Sequence, residues 1–429
     1  MIANMNILVI GSGAREHCVI KKLKENTEIE RIYCLPGNGG ISIDADCSAI
    51  PAADIVAVVD FCRTHSVDFA VVTPDDPLAR GMVDALEENG IPAFGPDKRA
   101  AEIESSKIFS KEFMRRHSIP TAMYESFSGS DEALRHINSS AKFPLVIKAD
   151  GLALGKGVVI AGSKEEAIEA VNSMMIDRIF GQSGNRIVIE EFIEGTEVSV
   201  LCFTDGKTIK PMIPSMDHKR ALDGDNGLNT GGMGAISPHP IYTPEIAERC
   251  MNEIFLPTIR GMAKEGRPFK GCLYFGLMLS QSGPKVIEYN CRFGDPETQV
   301  VLPLLKTDLL EIMRAVRDER LDSIDIEWSG GSAACVVMAS EGYPQHYRTG
   351  EPISGLDKNG QLDGVTVYHA GTRYKDGDFY TGGGRVLCVT SVADNLETAL
   401  SDVYGAISKL SFNGAHYRTD IGKQCRMQN

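Results

Sequence analysis

Glu288, Asn290, Arg292 and Asp295 fall in one short stretch, KVIEYNCRFGDPETQ, residues 285–299. The apolar, β-branched run 285–289, entered from Ser282-Gly283-Pro284, predicts a buried strand. Side chains alternate faces along a strand, so Glu288 and Asn290 share one face while Ile287 and Tyr289 share the other. A carboxylate beside a carboxamide oxygen on a rigid strand suits a hard cation such as Mg²⁺, which fills its remaining positions with water and phosphate oxygens. Arg292 follows as a fixed, forked positive charge suited to phosphate or carboxylate. The turn Gly294-Asp295-Pro296-Glu297 adds two further acids. A solvated polar face would explain Glu288 alone. It does not explain E-x-N-x-R-x-G-D-P-E on a strand that is otherwise apolar.

Other stretches offer anion-binding chemistry. GSGAREH, residues 11–17, leads an apolar strand (6–10) straight into a helical pattern, with Arg15 and His17 beside a phosphate-sized loop at the helix N-terminus. The residues argue against a dinucleotide fingerprint: its third glycine falls at Glu16, and the second strand ends at Cys34-Leu35-Pro36 with no carboxylate for a ribose. KADGLALGKGV, residues 148–158, sets Lys148 at the end of an apolar strand, where a buried amine needs an anion. The glycines that follow it, with Lys156, predict a mobile loop whose N–H groups can approach phosphates. EEFIEGTE places acids at a strand exit, where they could meet an adenine and a ribose. The segment 216–237 carries Asp217, His218, Lys219, Arg220, Asn229 and Thr230 and reads as one long loop, glycine-rich yet chemically varied, hence functional.

The elements that must position these groups alternate. Strand-like segments 6–10, 31–35 and 68–73 and helical ones 54–65 and 78–89 predict a parallel, doubly wound sheet over about the first hundred residues. Three loops follow its strands: Gly11 to Arg15, Pro36 to Gly40 with Asn38, and Thr73 to Pro77 with Asp75. Ligands bind beyond the carboxyl ends of such strands, so the three loops should converge on one site. A helix over 105–117 carries Lys107. The pattern resumes with a helix near 131–140, strands 143–149 and 186–191, and a capping box at Ser163-Lys164-Glu165-Glu166. Thr243-Pro244 caps a helix to about Lys264. Segments 271–280 and 285–289 form a hairpin. Beyond Asp318, strands 333–339, 365–370 and 385–391 and a helix 396–410 predict a small α+β domain.

The 429 residues carry 44 Lys+Arg and 58 Asp+Glu, a formal charge of −14. No basic run is interleaved with aromatics, which argues against nucleic acid and anionic membrane as partners. Eleven cysteines are scattered without a C-x-x-C pair, pointing to a reducing compartment and away from structural zinc. No stretch reaches the roughly 20 apolar residues of a membrane span. A soluble cytoplasmic chain is expected.

KADGLALGKGV, EEFIEG, DHKR, NTGGMGA and IEYNCRFGDPETQ, in this order, resemble the ATP-grasp enzymes. With GSGAREH near the start and TGGGRVLCVT near the end, the resemblance narrows to the phosphoribosylamine–glycine ligase family and runs from Asn6 to Ile421. It implies α/β and α+β architecture: an ATP-grasp fold preceded by a doubly wound parallel-sheet N-terminal domain (1–104) and followed by a small C-terminal α+β domain (329–429). Residues 105–123 with 195–328 would form the ATP-grasp body and 124–194 its lid. The implied reaction joins glycine to 5-phosphoribosylamine, with ATP cleaved to ADP and phosphate through glycyl phosphate.

The resemblance assigns ATP to Lys107, Lys148, Gly151, Gly155, Lys156, Gly157, the adenine hinge Glu190, Glu191, Phe192 and Ile193, and the ribose contact Glu197. Glu288 and Asn290 would hold Mg²⁺ or Mn²⁺. Phosphoribosylamine and glycine fall to Gly11, Gly13, Arg15, Asn38, Asp75, Asn229, Arg292 and Asp295. Arg292, Lys148, Asp217 and Lys219 would serve catalysis, and a monomer is expected. Two departures stand out: residues 271–279 lack the second metal carboxylate common in ATP-grasp enzymes, and Thr73-Pro74-Asp75 replaces the family's usual Gly and Glu. The alternatives are another ATP-grasp ligase or a carboxylase using a different acid such as bicarbonate, a nicotinamide-dependent dehydrogenase, and a non-catalytic nucleotide sensor. The metal and lysine positions count against the last.

Overall fold

The computed structural model describes residues 4–152 and 157–423. Its first sheet is wholly parallel, ordered Asp46–Cys47, Ile29–Pro36, Met5–Gly11, Phe69–Val72 and Ala93–Phe94. The run Ile7 to Ile10 is fully buried because both faces of this sheet are covered, as parallel sheets require. Alternation sorts its residues. Ile7, Val9 and Val71 pack with Leu302, Leu304 and Cys335, while Leu8, Ile10 and Val72 pack with Val198 and Phe275. One sheet is thereby welded to the body on one side and to the carboxy-terminal region on the other.

Strand order reverses direction at Met5–Gly11, whose neighbours are Ile29–Pro36 and Phe69–Val72. The loops after these three strands meet there, as expected for a switch point. Gly37 N donates to Gly11 O at 3.0 Å, and Thr73 Oγ1 donates to Ile10 O at 2.6 Å. The expected helix 78–89 is broken in two, Asp75–Arg80 and Met82–Glu88, because Gly81 turns left-handed at φ 92°.

Two antiparallel sheets follow. One is ordered Tyr124–Phe127, Ile187–Glu191, Leu145–Ala149, Val158–Ala161, and is packed under helices Ser130–Ser139 and Lys164–Val171. Ser163 caps the second helix by accepting from Glu166 N, but Glu166 reaches back to Gly162 N, one residue short of a reciprocal box. The other sheet is ordered Ile209–Pro211, Thr196–Asp205, Lys270–Ser280, Gly283–Asn290. Its last hairpin pairs Gly276 with Glu288 and Tyr274 with Asn290, so no acid stands opposite either. Phe293, stacked at 5.9 Å on Phe94 and edge-on to Phe203, anchors the chain as it leaves this hairpin.

The segment 216–237 is not a structureless loop. Met216–Asp217 and Gly234–Ser237 are paired strands, and Gly234–Ser237 continues onto Ser332–Ser340 of the carboxy-terminal sheet. Between them Arg220–Leu222 and Asn226–Asn229 form a small hairpin. Pairing with strands a hundred residues away fixes this segment, and local composition does not reveal that. The carboxy-terminal sheet adds Arg385–Ala393 and Thr366–His369 and is covered by helix Leu396–Ile407. No helix among the described residues is long and apolar enough to cross a membrane.

Candidate active site

Glu288 and Asn290 do project together from the strand Gly283–Asn290. Glu288 Oε1 lies 3.6 Å from Lys219 Nζ, and Lys219 also reaches Glu197 Oε2 at 3.0 Å. Burial alone would raise the Glu288 carboxyl, but Lys219, Lys148, Lys107 and Arg292 overcome it and hold the group below its ordinary range. Burial would likewise lower the Lys219 ammonium, yet Glu197, Glu288, Tyr274 and Asp217 keep it well above normal. The result is a carboxylate held ionised by four surrounding cations, three of which also meet other acids: Lys219 with Glu197, Lys148 with Glu190 and Arg292 with Glu104.

Behind it lies a buried ion triad. Glu190, 2 % exposed, takes Lys111 Nζ at 3.0 Å and Lys148 Nζ at 3.0 Å, one on each oxygen. Lys148 also donates to Ile287 O at 3.0 Å. The anion that a buried Lys148 required is thus Glu190. The Glu190 carboxylate is spent there, so any hinge contact from this residue falls to its backbone. Glu191 accepts from Met123 N at 3.1 Å and lies 3.4 Å from Lys285 Nζ, Phe192 is exposed, and Ile193 is buried. Lys107 Nζ donates to Gly151 O at 2.7 Å, and Gly157 O accepts from Ala149 N at 2.8 Å, fixing both roots of the glycine-rich loop. Gly155 and Lys156 lie outside the described residues.

Arg292 joins this region to the parallel sheet. Its Nη2 donates to Asn290 Oδ1 at 3.0 Å and lies 3.3 Å from Glu104 Oε1. Glu104 is buried, and its other oxygen accepts from Cys291 N at 2.7 Å. Burial, with Asp75 adding to it, raises the Glu104 carboxyl against the pull of Arg292. Arg15 Nη1 donates to Phe293 O at 3.2 Å, so the first glycine loop touches the same turn.

Glu16 shows why no third glycine stands in that loop. Its carboxylate accepts from Gly13 N at 2.5 Å, Arg15 Nε at 2.6 Å and Thr73 Oγ1 at 2.7 Å. Gly11, at φ 135°, is required because a Cβ there would lie 2.5 Å from Glu16 Cγ. Gly13 faces Asp295, whose Oδ2 would sit 3.4 Å from a Cβ at that position. Asp217 lies on the other side of the Asp295 turn. Its Oδ1 is buried and has no hydrogen-bond partner among the described residues. Burial, Glu297 and Glu197 push its carboxyl well above the ordinary range, against Lys219.

Asn38, His17 and Asn229 find partners within the protein itself. Asn38 is not free to hold a ligand through its carboxamide: Nδ2 donates to Ser12 O and His369 O, and Oδ1 accepts from Gly40 N and Ile41 N. It positions the loop instead. His17 does not face the phosphate loop. It is buried, 2.9 Å from Asp44 Oδ2, and accepts from His369 N at 2.8 Å, tying the first helix to the carboxy-terminal sheet. Asn229 ends the Asn226–Asn229 strand, paired with Arg220. Its neighbour Thr230 N donates to Lys219 O at 2.8 Å, so it borders the site through the backbone of Lys219.

Lys111, Glu104 and Arg385 went unread in the sequence. Lys111 had a signal, four residues after Lys107 on one helix and so on the same face. The other two owe their place to tertiary contacts.

Paired antiparallel sheets around a lysine-ringed carboxylate are the arrangement of an ATP-dependent ligase of the ATP-grasp class. The family models for phosphoribosylglycinamide synthetase match in order: N domain over residues 5–104, ATP-grasp (A) domain over 105–298 and C domain over 333–424. The phosphoribosylamine–glycine ligase of Neisseria meningitidis is 48% identical over 97% of this chain and 98% of that one. A Thermotoga maritima phosphoribosylamine–glycine ligase structure superposes with TM-score 0.85 at 32% identity, covering 97% of this chain and 100% of that one. The trifunctional purine biosynthetic protein adenosine-3 of Gallus gallus is 50% identical over 97% of this chain, which spans 42% of its length. The chain belongs to the phosphoribosylamine–glycine ligase family.

Proposed function

We propose that this chain joins glycine to 5-phosphoribosylamine at the expense of ATP, as the names of its relatives indicate. The observation that carries the reading is Arg292. Its guanidinium lies between the carboxylate–carboxamide pair of the body and the glycine loops of the parallel sheet, so a phosphoryl-transfer region and a sugar-phosphate loop form one site. Lys107, Lys148, Lys219 and Arg292 bind and orient the ATP phosphates. A glycine carboxylate oxygen then attacks the γ-phosphorus as the bond to ADP breaks, giving glycyl phosphate. The amine of phosphoribosylamine forms the new C–N bond, phosphate leaves with that carboxylate oxygen, and the amine proton is lost. The partnerless Asp217 oxygen is the buried group disposed to take it.

Glu288 and Asn290 fit Mg²⁺ or Mn²⁺ as a two-oxygen, one-charge donor set. Two protein oxygens leave the remaining positions of such an ion to water and substrate phosphates. When bound, the ion neutralises charge on the transferring phosphate. Segment 124–194 closes over the nucleotide as a lid, and the enzyme works as a cytoplasmic monomer. Gly11, Gly13, Arg15 and Asp75 receive the sugar phosphate and amine, and Asp295 faces them. A phosphate-release assay omitting each component in turn tests this: release should require ATP, glycine, phosphoribosylamine and a divalent cation together. Equal turnover with bicarbonate in place of glycine would overturn the substrate assignment.

A further inference from the structure

The carboxy-terminal domain sends one charged side chain into the site's wall. Arg385 opens the strand Arg385–Ala393 and follows Gly382-Gly383-Gly384. Its Nη1 donates to Gly231 O at 2.6 Å, Asp295 O at 3.1 Å and Gly232 O at 3.4 Å, and its Nη2 lies 3.1 Å from Asp295 Oδ2. One guanidinium thus binds both the NTGGMG turn and the GDPE turn. Five donors in a fixed fork make this possible. Tyr343, also carboxy-terminal, completes the grip: its hydroxyl accepts from Gly231 N at 3.0 Å. Gly231 is therefore held at both its N–H and its C=O. The glycines are needed for this approach, since a Cβ at Gly231 would lie 3.0 Å from the Arg385 guanidinium carbon and one at Gly384 would overlap the Tyr343 ring.

What Arg385 holds are the groups next to the acceptor substrate. Asp295 faces Gly13 of the first loop, and Gly232 packs against Asp217, whose Oδ1 would lie 2.7 Å from a Cβ there. Nothing it touches belongs to the Lys111–Glu190–Lys148 side. We infer that Arg385, with Tyr343, is a positioning residue for the glycine and phosphoribosylamine half of the site, so that the carboxy-terminal domain sets acceptor geometry and leaves nucleotide binding alone. The inference rests on the proposed reaction and deepens it. Misplacing acceptor groups by about an ångström is enough to cost on the order of 10²-fold in rate. It should also let glycyl phosphate meet water before the amine, so that phosphate outruns product.

The test compares wild type, Arg385→Met, Arg385→Lys and Tyr343→Phe. Each is assayed for KM of all three substrates, kcat, the ratio of phosphate to ligated product, and ATP affinity by calorimetry. Arg385→Met is expected to raise KM for glycine and phosphoribosylamine by ~10-fold or more, with ATP affinity within about twofold of wild type and a phosphate-to-product ratio above one. Arg385→Lys, which keeps the charge but not the fork, should recover part of the ratio. Tyr343→Phe, which removes only one acceptor and keeps the ring, should show the same pattern more weakly. Unchanged acceptor KM values and a ratio of one in the folded variants would overturn the inference, as would equal losses for ATP and acceptors. If Arg385→Met does not fold, Tyr343→Phe and Arg385→Lys decide on the same criteria. Wild type failing to turn over glycine and phosphoribosylamine would instead refute the reaction itself.

Discussion

Glu190→Gln removes one charge and almost no volume from the centre of the Lys111–Glu190–Lys148 triad. Lys111 is 3 % exposed, and burial has already drawn its ammonium down to about 8, with Glu190 opposing the fall. Without Glu190 it must fall further. Breaking a buried pair from one side costs about 3–5 kcal/mol. A ceiling on the share that Lys111 adds comes from discharging its amine: starting from about 8, neutralising it at pH 7.5 costs about 0.7 kcal/mol beyond wild type, and about 1.4 kcal/mol more for each pH unit below that. The sign follows by linkage. A lysine lowered in the native state leaves the unfolded chain holding more protons, so stability rises with pH between the two values. In wild type that window runs from about 8 to 10.5, and in the variant it opens lower. The variant's deficit should therefore be largest near pH 6 and shrink towards pH 8. Urea denaturation of the ligand-free protein across this range measures it, and Lys111→Met with Glu190→Gln should recover much of the loss. ATP, bringing phosphates to the freed Lys148, should raise the Tm of the variant more than that of wild type. Wild-type stability at pH 7 with an unchanged pH slope would refute the triad.

Two further outcomes are expected. Glu288→Gln should lower turnover by ~10²-fold or more through lost charge stabilisation of the transferring phosphate, while leaving the Tm of the ligand-free protein near wild type. Near-normal activity at limiting Mg²⁺ would remove Glu288 as a ligand. Burial, with Arg418 nearby, lowers His218 to about 4, while its Nε2 accepts from Gly422 N at 3.1 Å. The unfolded chain takes up this proton below about 6.5 and the native chain does not, so about 3 kcal/mol of stability should be lost as pH falls from 6.5 to 4. A His218→Gln variant with the same acid slope would contradict that origin.

The parts legible in the sequence were those governed by local rules. Alternation placed Glu288 and Asn290 on one face, and Gly and Pro after each apolar run marked the loops at Gly11, Gly37 and Thr73 that the parallel sheet brings together. Glu16, which stands where a dinucleotide fingerprint has its third glycine, spends its buried carboxylate on Gly13 N, Arg15 and Thr73. What stayed hidden were identities of partners. His17, Asn38 and Glu190 carry the same side chains whether they face a ligand or the protein, and only the fold hands them Asp44, His369 and the two lysines. Arg385 and Glu104 reach the site across long sequence separations. The strand Gly234–Ser237 exists because Ser332–Ser340 pairs with it, and Met216–Asp217 pairs in turn with Gly234–Ser237; neither segment is long enough to show an alternating pattern.

Activation of glycine as an acyl phosphate is tested most directly by isotope transfer. Glycine labelled with ¹⁸O in its carboxylate is turned over with ATP and phosphoribosylamine, and the released phosphate is analysed by mass. The oxygen that attacks the γ-phosphorus leaves with phosphate, so one ¹⁸O should appear in each phosphate formed and the other should remain in the amide product. Phosphate carrying no label, with product still made, would rule out glycyl phosphate.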